Sequence, residues 1–206
     1  MKEFSEEEIG QLLEGESENL NLEFKSDFNF ENDIWAREKL IRAIFAISNT
    51  ETGGRIIVGI TENEDKSLNF TGVQETNLSA FRSKEEILKA KVESFSSSPA
   101  NYELGYGSYK NKKFILINIH EFSVNPLICR HNGEHKDKIL EEGAIYIRAL
   151  NDKPSSIKLT NPIDIQDFLE RLVDKQIIHL HKRGWNHKSE KNDKAEKSFK
   201  EERNNF

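Results

Sequence analysis

The apolar positions of the chain change period several times, and each change marks an element. In "LNLEFK" they alternate: Leu20, Leu22 and Phe24 fall on one side, Asn21, Glu23 and Lys25 on the other. That is the period-two signature of a half-buried strand. Ahead of it, "FSEEEIGQLLEG" predicts a short helix with Ser5 and Glu8 as a capping box, an apolar face of Phe4, Ile9 and Leu12 or Leu13, and Gly15 as its stop. Behind it, Asp33 is placed to cap a helix over "IWAREKLIRAIFAISN". Ile34, Leu40, Ile41, Ile44, Phe45 and Ile47 recur there at helical spacing, and the helix ends near Asn49. A double glycine, Gly53 and Gly54, then precedes "RIIVGI", whose unbroken apolar run predicts a central strand.

Further on, "NFTGV" reads as a short partner strand, and "SKEEILKAKVESF" as a helix with Ser83 and Glu86 as a second capping box. "YELGYGSY" and "KFILINIHEF" flank the turn-like "KNKK" and predict a hairpin. "LICR" after Pro126 and "AIYIRA" read as strands separated by a polar loop. A last helix begins near Asn161 with Pro162 at its first position, and Gly184 breaks it. The pattern predicts a mixed α/β (α+β) domain over residues 1–182, with a largely antiparallel sheet flanked by helices. Residues 183–206, with a basic residue at nearly every third position among acids, read as a charged, disordered tail.

Charge and composition narrow the partners. A net charge of -6 excludes a uniform basic field of the kind that coats nucleic acid, and leaves room for a local basic groove. The single cysteine, Cys129, cannot form an internal disulfide, which fits a reducing compartment. The N-terminus has no signal-like apolar region, and no apolar run approaches the ~18 residues of a membrane span. A cytoplasmic protein without a membrane partner is expected.

Three groups of residues bear on chemistry. The glycines lie after a helix and before a strand, the reverse of a phosphate-binding loop, and the G-x-x-x-x-G-K-[ST] pattern is absent, so ATP is not expected. They read instead as a helix stop and a point of close backbone approach. The carboxylates Glu16 and Glu18 precede the first strand, Glu23 lies within it, and Glu62 sits where the apolar strand leaves the core. If those strands are neighbours, Glu23 and Glu62 converge with Glu16 or Glu18 on a hard oxygen site suited to Mg²⁺ or Mn²⁺. Lys25 would then stabilise charge developing on a phosphoryl oxygen. A solvated acidic rim is the competing reading. Lys25, Arg55, Arg148 and Lys153 are the candidate phosphate contacts. Cys129, His131 and His135 lack the paired spacing of a structural zinc site and read as a surface loop.

In order along the chain, "LEFK", "AIFAISNTETGGRIIVGITEN", "PLICR" and "GAIYIRALNDKP" resemble the Schlafen-core, AlbA-like family of DNA-binding domains. The resemblance runs over roughly residues 12–175. It implies nucleic-acid binding and, as in Schlafens, a three-carboxylate, divalent-metal endoribonuclease site acting on tRNA-like RNA, or alternatively on DNA. Carried over, the family's strand glutamate is Glu23, and its upstream glutamate is Glu18, or Glu16 if "ENLN" holds an insertion. Its third acid falls at Glu62, with Thr61 standing where the family has an Asp. The resemblance equally admits a binder that does not cut, acting as a regulator, as a homo-oligomer or as a subunit of a multi-protein defence system.

Overall fold

The computed structural model describes residues 1–13, 18–63, 67–150 and 154–185. Glu16, Lys153 and the tail from residue 186 onward lie outside the described residues, and of Glu62 only the backbone is described. The elements are β1 (Lys2–Phe4), α1 (Glu6–Leu13), β2 (Leu22–Lys25), α2 (Ile34–Ser48), β3 (Gly54–Val58), β4 (Ile60–Glu62) and β5 (Leu68–Phe70). There follow α3 (Glu75–Ser83), α4 (Glu85–Phe95), β6 (Tyr102–Tyr109), β7 (Lys112–Ile119), β8 (Tyr146–Leu150), β9 (Pro154–Lys158) and α5 (Pro162–Lys182).

The main sheet is mixed, in the order β1-β6-β7-β3-β2. Its inner pairings, β6 with β7 and β7 with β3, are antiparallel; the outer two, β1 with β6 and β2 with β3, are parallel. The β6–β7 turn uses Lys110 and Asn111, both at positive φ, the two-residue geometry that matches strand twist. β4–β5 and β8–β9 form separate antiparallel hairpins.

Side-chain parity along the sheet divides the core in two. Ile56, Val58, Ile115 and Ile117 face α2, α3 and α4, whereas Ile57, Phe114 and Leu116 join Ile9 and Leu13 of α1 and Leu22 and Phe24 of β2. A third cluster, Phe122, Ile147 and Phe168, seats α5. Ala43 and Ala46 of α2 are fully buried, and small side chains there let the β8–β9 hairpin lie close to the helix.

Local signals set several boundaries as the sequence predicts. Ser5 and Glu8 cap α1 reciprocally, the Asp33 carboxylate accepts from the Ala36 amide at 2.9 Å, and Asn161 caps α5 ahead of Pro162. The second capping box does not form. Ser83 ends α3 and donates back to the Ser79 carbonyl, and Lys84 leads into α4 with no side-chain cap. "LICR" makes isolated bridges at Ile128 and Cys129 rather than a strand.

The double glycine is dictated from both sides of β3. A Cβ on Gly53, at φ +70°, would strike the Ile119 carbonyl of β7, and one on Gly54 would strike the Asn21 carbonyl just before β2. Only a bare backbone fits between those neighbours.

Candidate nucleic-acid interface

β2 is an edge strand of the main sheet, so its outward backbone groups have no strand to pair with. A local bridge between Asn19 and Leu22, and side chains, take that place. The Glu18 carboxylate accepts from the Phe24 amide at 2.8 Å, and the Arg148 guanidinium donates to the carbonyls of Asn19 at 2.9 Å and Leu22 at 3.4 Å. Arg148 reaches them from β8, which α2 holds in place through Asn49. That buried side chain donates to the carbonyls of Leu127 and Tyr146 and accepts from the Leu127 amide.

Glu23 faces the same region and is buried at 6% exposure. One of its oxygens accepts from Arg148 at 2.5 Å and from the Ser156 hydroxyl at 3.1 Å; the other is paired with Lys25. Burial pushes the Glu23 carboxyl up, but the charges of Lys25 and Arg148 outweigh it, and it titrates below its ordinary range. Glu18 goes the other way. Burial lifts it, the Phe24 amide opposes, and the neighbouring charge of Glu23 adds to the rise. Glu18→Gln keeps an oxygen for the Phe24 amide and is expected to unfold within ~0.5 kcal/mol of the parent, whereas Glu18→Ala costs ~1 kcal/mol or more. Urea unfolding of the two variants side by side checks this.

Two cations that sequence reading passed over complete the region. Lys39 lies on α2 four residues after Trp35, and Arg42 three residues after Lys39, which places all three on one helix stripe. Neither Lys39 nor Arg42 has an ion pair among the described residues, and Arg42 Nε is buried without a hydrogen-bond partner among them. Burial, then the charges of Lys25 and Arg42, pull the Lys39 ammonium below its ordinary value. The 35/39/42 spacing was visible in the sequence; that this stripe stands beside β2 was not.

The structure rearranges the predicted cation set. Arg148 is not a surface group, since its side chain is 1% exposed and committed to Glu23 and the β2 carbonyls. Arg55 is on the opposite face of the sheet: its register partner is Leu22, in the α1-side core, and its Nε donates to Asn118. Glu62 lies in β4, beyond a turn at Gly59 (φ +108°), in a hairpin separate from the sheet that carries Glu23. Among the described residues, no three His, Cys, Asp or Glu side chains form a group able to hold a metal ion. Glu18 and Glu23 are the two described carboxylates from which such a site would start; Glu16 and the side chain of Glu62 lie outside the described residues. Cys129 is buried, its thiol pushed up to about 11 by burial, and it donates to the His131 carbonyl.

Fold and site together define a mixed α/β domain with a cation-rich sheet edge. The chain belongs to the Schlafen AlbA_2 family, whose model matches residues 18–155. The matched span contains β2, α2 and Arg148, and membership suggests a nucleic-acid-related function. No curated protein matches the chain. Among solved structures it is similar to the N-terminal domain of a RecG-related protein from Nitrosomonas europaea, at 15% identity and a TM-score of 0.47, over 77% of this chain and 97% of that one. It is also similar to the DIP2311 protein of Corynebacterium diphtheriae, at 15% identity and a TM-score of 0.41, over 67% of this chain and 22% of that one. Among the described residues, no helix is long and apolar enough to cross a membrane.

Proposed function

We propose that the chain binds nucleic acid along the edge formed by β2 and the outer face of α2. The observation that carries this reading is charge balance. Lys25 and Arg148 gather around Glu18 and Glu23, Lys39 lies within electrostatic reach of Glu23 with Arg42 beside it, and Lys39 and Arg42 have no ion pair among the described residues. In a chain with a net charge of -6, an unneutralised basic edge beside a sheet is a local polyanion site.

A second reading, cleavage of RNA or DNA with a divalent metal, is favoured by one feature: Glu18 and Glu23 are held side by side at a cost that a bound cation would relieve. Mg²⁺ or Mn²⁺ would be sought at Glu18 and Glu23, with Glu62 as the third candidate, and would supply an activated water against a phosphodiester. Lys25 would have to release Glu23 for that carboxylate to serve.

Fluorescence anisotropy with labelled tRNA, single-stranded DNA and duplex DNA tests binding, and gels of the same samples with Mn²⁺ test cutting. Binding should weaken steeply with salt, and Lys39→Ala/Arg42→Ala should reduce affinity roughly tenfold and flatten the salt dependence by about one to two phosphate contacts. Absence of binding at low salt would refute the proposal. Equal cutting by the parent and by Glu18→Gln would remove the metal reading and leave the binding one.

A further inference from the structure

Trp35 stands in the first turn of α2 with 41% of its surface exposed. A tryptophan normally buries most of its area, and here the core behind α2 is filled by Leu40, Ile41, Ile44 and Phe45 without it. The other large exposed apolar side chains among the described residues are Ile87 and a set on or just beyond α5, so Trp35 belongs to no apolar patch. It has instead a cationic neighbour: Lys39 Nζ lies 3.6 Å from the ring centroid. Arg42 continues the stripe, and Lys25 flanks it from β2. An exposed indole at the head of a row of cations is the arrangement that takes a base on the ring and phosphates on the charges.

We infer that Trp35 is a base-stacking platform, and that the edge selects single-stranded or unpaired nucleotides over intact duplex. A paired base keeps its faces inside its own stack and cannot reach an indole fixed on a helix surface, whereas an unpaired one can. The inference rests on the nucleic-acid reading above and adds to it which strand state is bound and which residue reads it. Lys39 braces the indole, and Arg42 and Lys25 follow the backbone of the next nucleotides.

The test compares a labelled oligothymidylate, an oligouridylate and the matching dT·dA duplex, by anisotropy at low salt, for the full chain and two variants. Trp35→Ala should weaken single-strand binding about tenfold and leave duplex binding unchanged. Trp35→Phe, which keeps an aromatic face, should retain most of the affinity, and circular dichroism should show both variants folded. If the parent binds single strands and Trp35→Ala binds them equally well, or loses single strand and duplex alike, the stacking inference is overturned while nucleic-acid binding stands. If the parent binds none of the three probes, both fall.

Discussion

Arg148→Met is expected to lower the free energy of unfolding by about 3–5 kcal/mol, the range for removing one partner of a buried ion pair. The variant strands Glu23 at 6% exposure with Lys25 and Ser156 as its remaining partners, and it removes the second donor to the carbonyls of Asn19 and Leu22, which keep only each other's amides. Urea denaturation measures the loss. Arg148→Met combined with Glu23→Gln should recover part of it, because the uncompensated charge is then gone. The pH dependence carries the same signature. Glu23 titrates lower in the folded protein than when unfolded, so its stabilisation is present above the ordinary carboxyl value of 4.5 and is lost as pH falls through the lowered folded value. In Arg148→Met the folded value moves up, and the stability curve below pH 4.5 becomes shallower. An unchanged acid limb would show that Arg148 is not what holds Glu23 ionised.

Asn49→Ala is expected to cost about 3 kcal/mol, which makes it the second most damaging single change proposed here. Asn49 is fully buried, and its amide satisfies a donor and an acceptor of Leu127 and the carbonyl of Tyr146. Its removal leaves three backbone groups without partners in a dry interior. Asn49→Asp should be destabilising too, since a carboxylate would face two carbonyls it cannot donate to. Hydrogen exchange at the Leu127 amide should accelerate in both variants, and protection equal to the parent's would sink the account. Tyr146 stands two residues before Arg148, so slackening Asn49 also loosens the residue that holds Glu23. Reduced nucleic-acid affinity is therefore expected to accompany the loss of stability.

The parts of the fold that local chemistry decides were legible before the structure. Asp33, Asn161 and the Ser5–Glu8 pair cap helices through atoms two or three residues away, and the β6–β7 hairpin follows from alternation around a short polar turn. α3 was missed for the opposite reason. Its start is held from afar by Asp27, whose carboxylate accepts from the Gln74 amide and the Asn77 side chain, and within the helix only Leu78 and Phe81 mark an apolar face. The site shows the same division. Parity correctly put Glu23 and Lys25 together on one face of β2. It could not place Arg55, because facing across strands depends on register, and the pairing of Leu22 with Arg55 sends that cation to the other side. Nor could it show that the chain turns at Gly59 and carries Glu62 into another hairpin, or that α2 brings Lys39 and Arg42 alongside β2.

The way β2 is finished has a consequence for life in a crowded cell. An outer strand with open amides and carbonyls invites a strand from another molecule, the first step of domain swapping and of amyloid growth. Here the Phe24 amide is taken by Glu18, and the Leu22 carbonyl by the Asn19 amide and Arg148, so an incoming chain would find those positions filled. The charges that present themselves as a site thus also act as a guard against self-association, and a variant stripped of both would be pressed toward aggregation even where enough stability remained to fold.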